Sequence, residues 1–344
     1  MPDGIRVGLM TAGTGAHVSA YLEGLKSSAT ASSVAVADPS GQHFEMAQKI
    51  LGDKLQKTYA SHRTLLKEFA PQMTVVTQEA VASPPVIADC LEAGCHVLTE
   101  KPACIRAADF AELVRTADSK HLHLMLALAN RINKPVLKAK ELVHSGDIGQ
   151  VYGLEMHIIA DHTRLTSPAY HQSWYADKQR AGGGHLIWLG IHWLDLAMLI
   201  TGSKTNAVTG FAGNVGGEAI TVEDSAAVSL QFDNNTFGTM TSGYYLDRGY
   251  HSHIKIWGSH GWLELTQMED VPLRWYSTRN TKTPTVQIYD GPKERGYSPF
   301  VDAAVKASVG IQAPPITCAE GLHVRKTIYA FYEAVTTGQT QTIA

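Results

Sequence analysis

The chain has 344 residues, 44% of them hydrophobic and 18% charged, with a formal net charge of −3. This is the make-up of an ordinary globular protein long enough for two domains, not of a disordered one. The near-neutral balance offers no basic field for a polyanion, so no nucleic-acid partner is expected.

The opening Met1-Pro2-Asp3-Gly4 shows no charged-then-apolar leader and runs at once into a strand pattern, Ile5–Met10. A turn, Thr11-Ala12-Gly13-Thr14-Gly15-Ala16, leads to a helical pattern over about 17–27. A strand at 33–37 ends in Asp38-Pro39-Ser40. Helical patterns follow at 42–51 and 61–69, then a strand at 72–77, a helix at 85–93 and a strand at 95–99. The strand runs into Glu100-Lys101-Pro102. A helix at 106–119 and a strand at 122–127 complete a first domain, 1–128. Strands alternating with helices predict a parallel, doubly wound Rossmann-type sheet, whose ligands bind beyond the carboxyl ends of its strands.

In such a fold a glycine turn opening a helix lets backbone N–H groups meet a pyrophosphate. An acid about 20 residues later can take the ribose hydroxyls. Asp38 stands 25 residues after Gly13. With no basic residue directly after it, a carboxylate there favours NAD over NADP. The glycine signal itself is weak, because Thr11 occupies the first glycine's place and the turn is short.

The second domain, 129–344, opens with a helical pattern at 135–145 and a strand at 151–159. An irregular stretch, 160–180, holds His162, Arg164, His171, Trp174 and Tyr175. Gly182-Gly183-Gly184 then launches an apolar helix to about 201. At about 100° per residue, His185, Trp188, His192 and Asp195 would share an arc of roughly 80°. Strand patterns at 226–232, 237–245, 253–257, 262–266, 273–277 and 286–289 follow with no helix between them, which predicts a large open, mainly antiparallel sheet. Helices at 298–308 and 319–336 close the chain. The second face of that sheet invites pairing with another copy, as a homodimer or homotetramer.

Cys90, Cys95, Cys104 and Cys318 form no Cys-x-x-Cys pair, which suits reduced thiols in a cytoplasmic protein. No apolar run reaches the ~18 residues of a membrane span. No metal spacing stands out; His185, His192 and Asp195 come nearest.

These motifs together resemble the Gfo/Idh/MocA family of NAD(P)-dependent sugar and polyol oxidoreductases. The markers are Asp38, Ala93-Gly94-Cys95-His96-Val97-Leu98-Thr99-Glu100-Lys101-Pro102, Gly146-x-x-Gly149 and the triple glycine with Gly190-x-His192-x-x-Asp195. Glu223-Asp224 and Glu320-Gly321 add to them. The resemblance implies cofactor contacts from Thr11, Gly13, Thr14, Gly15, Asp38, Thr77, Glu100, Lys101 and Pro102. It implies catalysis by Lys101, beside the nicotinamide, and by His192 as the base, with a Lys101–Pro102 bond that is often cis. Substrate contacts fall to Lys101, Arg131, His162, Arg164, His171, Trp174, Trp188, His192 and Asp195, with Tyr244 and Tyr245 near the cleft.

The departures are specific. Trp188 stands where polyol-oxidising members carry an aspartate one turn before the histidine, and a tryptophan cannot accept a proton. It offers instead a flat surface for a sugar ring, or plain packing. Gln78 replaces a proline after Thr77, and Tyr175 replaces an arginine. The expected activity is hydride transfer between NAD and a hydroxyl of a sugar, polyol or derivative. The alternatives are a redox-neutral glycoside cleavage through a transient keto sugar, and a non-catalytic dinucleotide sensor.

Overall fold

The computed structural model describes residues 4–162, 165–266, 269–279, 282–293 and 295–343. The chain forms two compact units. The first comprises residues 1–129 together with the returning segments Gln179–Gly182 and Gly296–Leu322; the second holds the rest.

In the first unit, six strands form one parallel sheet: β1 (Ile5–Thr11), β2 (Ala31–Ala37), β3 (Leu55–Tyr59), β4 (Met73–Thr77), β5 (His96–Thr99) and β6 (Leu124–Leu126). Their order is β3-β2-β1-β4-β5-β6, the doubly wound arrangement expected from the alternation. Helices α1 (Val18–Ser27), α2 (Phe44–Leu51), α3 (His62–Phe69), α4 (Ser83–Glu92) and α5 (Ala107–Ser119) alternate with the strands. A parallel sheet covered on both faces needs unbroken apolar strands. Val7, Leu9, Val34, Val36, Val75, Val97, Leu98 and Leu124 are accordingly all fully buried. Each such side chain contributes about 1.5–3 kcal/mol over leaving it exposed.

α1 buries Val18, Tyr21, Leu22 and Leu25, the i, i+3, i+4, i+7 stripe of an amphipathic helix. It packs against a late helix, Tyr297–Ala307, so closely that a Cβ on Gly24 would lie 2.8 Å from Val301 Cβ. The sequence marks this late segment as a helix but not its return to the first unit, and it carries no pattern for the edge strand β3.

In the second unit, α6 (Lys134–His144) precedes β7 (Val151–Asp161). The single turns α7 (Pro168–His171) and α8 (Lys178–Ala181) lie in the stretch read as irregular. A π-helical turn, Leu186–Gly190, runs into α9 (Ile191–Thr201). The remaining strands are β8 (Thr205–Gly213), β9 (Ser225–Phe232), β10 (Phe237–Leu246), β11 (Tyr250–Gly258), β12 (Gly261–Leu265), β13 (Leu273–Ser277), β14 (Gln287–Ile288) and β15 (Gln341–Thr342). They form a nine-stranded sheet, β14-β13-β12-β11-β7-β10-β9-β8-β15, antiparallel except between β7 and β10. Helix α10 (Tyr297–Ala307) belongs to the first unit, and α11 (Cys318–Thr337) follows it ahead of β15.

One face of this sheet is core. Leu154, Met156, Val228, Leu230, Met240, Ile254, Ile256 and Leu263 point inward and are buried, and α9 packs on β7 with α6 beside it. The segment Lys178–Thr201 is long and apolar enough to cross a membrane, contrary to the reading that no run had that character. Most of it is buried within the protein, and service as a core helix accounts for its composition.

Candidate functional site

The first unit gathers its chemistry at the carboxyl ends of β1, β2, β4 and β5. The short turn after β1 lies tightly against the end of β4. Gly15 N–H donates to the Ala12 carbonyl at 2.8 Å, Thr11 Oγ1 donates to the Thr77 carbonyl at 3.1 Å, and the Thr77 hydroxyl donates to the Ala16 carbonyl. A Cβ on Gly15 would sit 2.2 Å from Thr11 Oγ1 and 2.7 Å from the Thr77 carbonyl, so only glycine fits. No side chain caps the start of α1, whose first N–H groups therefore remain suited to an anionic ligand. This turn stands where a doubly wound sheet takes a dinucleotide phosphate.

Asp38 is fully buried at the end of β2. Its Oδ1 accepts from Ser40 N (2.9 Å) and Ser40 Oγ (2.7 Å). Its Oδ2 meets His43 N at 3.1 Å and His43 Nδ1 at 2.8 Å. Burial alone would raise the carboxyl's pKa, but the bonds from Ser40 and His43 hold it below its ordinary value. Four bonds fill a carboxylate's acceptor positions. A ribose hydroxyl therefore reaches Asp38 only by displacing one of these donors.

Glu79 ties the turn to a returning segment. It accepts from Thr14 Oγ1 at 2.9 Å and from Arg180 Nε and Nη2 at 2.9 and 2.5 Å. Burial works to raise its pKa, but Arg180 and Thr14 bring it below the usual carboxylate range. The pair spans 101 residues and has no local signature.

Glu100 and Lys101 are both buried to 2% exposure at the end of β5, and the Lys101–Pro102 peptide is cis. Glu100 Oε1 accepts the Lys101 N–H at 3.0 Å. Oε2 accepts from Tyr21 (2.6 Å) and Tyr297 (3.3 Å), with His17 Nδ1 at 3.2 Å. Burial opposes the charge, but His17, Lys101 and Tyr21 outweigh it, and Glu100 titrates below the ordinary carboxylate value. Lys101 thus emerges from a rigid, anionic mount. His17, Tyr21 and Tyr297 were not among the candidates, because nothing local marks them as Glu100's partners.

In the second unit the apolar segment behaves differently from a uniform α-helix. The π turn Leu186–Gly190 breaks the 100° count before His192, and the four predicted stripe residues meet different neighbours. His185 is buried, with Nδ1 2.6 Å from Ser242 Oγ and its ring edge-on to Tyr244 at 4.4 Å. Trp188 joins an aromatic cluster with Trp174 (5.5 Å) and Tyr175 (4.6 Å). Asp195 pairs with Arg131, the carboxylate 3.0 Å from Nε, both nearly fully buried. His192 is half-buried in the first turn of α9.

The triple glycine has a clear structural cause. A Cβ on Gly184 would fall 1.9 Å from the Glu223 carbonyl, and one on Gly183 would fall 2.2 Å from the Tyr332 hydroxyl. Glu223 in turn caps the segment, accepting from Gly184 N (2.7 Å), Leu186 N (3.0 Å) and Tyr332 Oη (2.9 Å). Burial pushes its carboxyl up despite these donors, and the same burial raises Tyr332. Among the other candidates, His162 bonds to the Leu246 carbonyl and His171 to the Leu165 carbonyl, with Glu218 3.6 Å from His171. Trp174 is buried to 2% exposure, so Tyr175 and Trp188 hold the accessible aromatic surface of that cluster. Tyr244 is buried and Tyr245 half exposed. Arg164 lies outside the described residues.

Comparison with known proteins matches residues 6–128 to a family model described as an oxidoreductase family with an NAD-binding Rossmann fold. Residues 136–264 match a GFO/IDH/MocA C-terminal domain. The chain is 26% identical over 238 residues to trans-1,2-dihydrobenzene-1,2-diol dehydrogenase of Mus musculus, covering 69% of this chain and 68% of that protein. It is 24% identical over 268 residues to myo-inositol 2-dehydrogenase of Thermotoga maritima, covering 75% and 74%. Among solved structures, an oxidoreductase domain protein from Kribbella flavida shares the fold with a TM-score of 0.89 at 23% identity, over 99% of this chain and all of that one.

Proposed function

Because the chain belongs to the GFO/IDH/MocA family of oxidoreductases, we propose that it moves a hydride between NAD and a hydroxyl-bearing carbon of a sugar, polyol or related diol. The observation that carries this reading is Lys101, buried on the Glu100 mount at the carboxyl end of β5, the edge where doubly wound sheets take their ligands. The named activities of the two relatives, both diol or polyol dehydrogenations, support the substrate class.

NAD, held at the turn from Thr11 to Ala16 and beside Asp38, would supply the acceptor for a hydride from the carbinol carbon. His192 takes the hydroxyl proton as the hydride leaves, since the carbinol cannot give up the hydride while the oxygen keeps its proton. Lys101 is assigned the role of an ammonium that steadies negative charge developing on a reacting oxygen. Trp188 cannot relay the proton, so His192 passes it to solvent or another group, while Trp188 and Tyr175 supply an aromatic wall for a ring. Asp38 disfavours a 2′-phosphate by charge, which selects NAD over NADP. The outer face of the nine-stranded sheet pairs two copies of the chain.

The test is NADH appearance at 340 nm with a panel of polyols, free sugars, sugar acids and cyclic diols. At least one member should reduce NAD with wild type. Lys101→Ala should lower kcat/KM by about 10²-fold or more, the usual cost of one preorganised electrostatic donor. Full activity in that variant would remove the assignment. Failure of NADP to replace NAD would support the role of Asp38.

A further inference from the structure

Three donor side chains stand on the outer face of the nine-stranded sheet, apart from the residues assigned to hydride transfer. His157 and His253 face each other directly across the antiparallel β7–β11 pair, with ring centroids 4.5 Å apart and planes 19° from parallel. Glu155 lies two residues before His157 on the same face, its Oε1 3.2 Å from His253 Nε2. One ligand atom from each of the three lies within 4.8 Å of the others. All three side chains are half-buried, and β7 is the middle strand of nine, so the backbones of Glu155 and His157 are held on both sides.

A simple ion pair explains Glu155 and His253 but not the second imidazole stacked on the first. Lys255 is opposite Glu155 in the register and would be its natural partner. Its ammonium instead lies 3.9 Å from Glu264 and over the indoles of Trp257 and Trp262, at 5.8 and 5.4 Å. The carboxylate is thereby left turned toward the histidines.

We propose that Glu155, His157 and His253 form a binding site for one divalent transition-metal ion of the zinc class per chain. Two imidazole nitrogens and a carboxylate oxygen suit zinc, copper or nickel, whereas magnesium and calcium call for oxygen ligands. Zinc bonds of about 2.0–2.2 Å to a tetrahedral donor set place the donors roughly 3.3 Å apart. The Glu155–His253 separation already matches this, and His157 completes the set by rotating its ring off the stack. The fourth position is left for water. The ion would staple the two central strands together without moving either backbone.

The experiment is titration of chelator-treated full-length protein with Co²⁺, read in the visible, followed by Zn²⁺ competition against a chromophoric chelator. One equivalent of Co²⁺ per chain should give the strong bands of a four-coordinate site, displaced stoichiometrically by Zn²⁺. His157→Ala and His253→Ala should each weaken Zn²⁺ binding by at least about tenfold, while their metal-free melting curves confirm that they fold. Glu155→Gln, which keeps the side chain's size, carries the test if a histidine variant does not fold. No saturable uptake by wild type, or uptake unchanged in the folded variants, would overturn the site.

Discussion

Asp38 spends its four acceptor positions on its own loop, and that has measurable consequences. Removing the charge by Asp38→Asn should cost about 1–3 kcal/mol at pH 7, the range for hydrogen bonds to a buried ionised group. The sign of the pH dependence follows from the lowered pKa. The stabilisation is present above the unfolded value of about 3.9 and is lost as pH falls through the lower folded-state value. Urea unfolding of wild type and variant should therefore converge at the acid end and separate toward neutrality. Ser40→Ala frees one lone pair of Oδ1. It should leave NAD affinity unchanged or raise it a few-fold, as measured by calorimetry; a large loss would mean that the Ser40 hydroxyl itself contacts the cofactor. Asp38 and Lys101 were legible from position in the chain. The bonds that saturate Asp38 come from Ser40 and His43, close by in the chain, whereas those that hold Glu100 come from His17, Tyr21 and Tyr297, whose proximity no short motif reports.

Elements were legible where hydrophobic period and turn chemistry agree. Every strand of the parallel sheet except β3 follows an apolar run, whereas β3 reads Leu-Gln-Lys-Thr-Tyr and sits at an edge with half its residues exposed or nearly so. β8 was missed because its Gly210 and scattered small residues blur the alternation, and β15 because two residues carry no pattern. The π turn before α9 is invisible to a 3.6-residue count, so a stripe inferred from that count did not survive. The triple glycine, by contrast, was correctly singled out without its cause being visible: Glu223 and Tyr332 lie 39 and 149 residues further on, counted from Gly184 and Gly183. Gly184→Ala should destabilise by about 3 kcal/mol or more, since its Cβ meets backbone rather than a movable side chain. A melting temperature within one or two degrees of wild type would show that the close approach relaxes easily.

At the scale of the molecule, the outer sheet face reads in rows across the strands. Phe211, Ala227, Thr241, His157 and His253 lie in one register line, and Phe237, Gly153, Trp257, Trp262 and Tyr276 lie in another. Phe211 and Phe237 are 83% and 64% exposed on a flat field of serine, threonine and alanine, a surface that suits pairing with a second copy. In light scattering the wild type should run as a dimer or larger and the double variant Phe211→Asp/Phe237→Asp as a monomer; equal masses would overturn this interface.

The segment Gly296–Leu322 gives the cofactor-side unit a late component. Tyr297 reaches Glu100, Asp302 accepts the Ser28 hydroxyl at 2.7 Å, and Val301 lies against Gly24. A ribosome must therefore release residues 296–322 before the nascent 1–129 segment can cover the α1 surface at Gly24. Until then the face of α1 around Gly24 stays solvated, an opening for chaperones. A gene cut at codon 129 would yield a fragment with an unhealed flank, so transplanting this half into another enzyme requires splicing the distal helix back onto it.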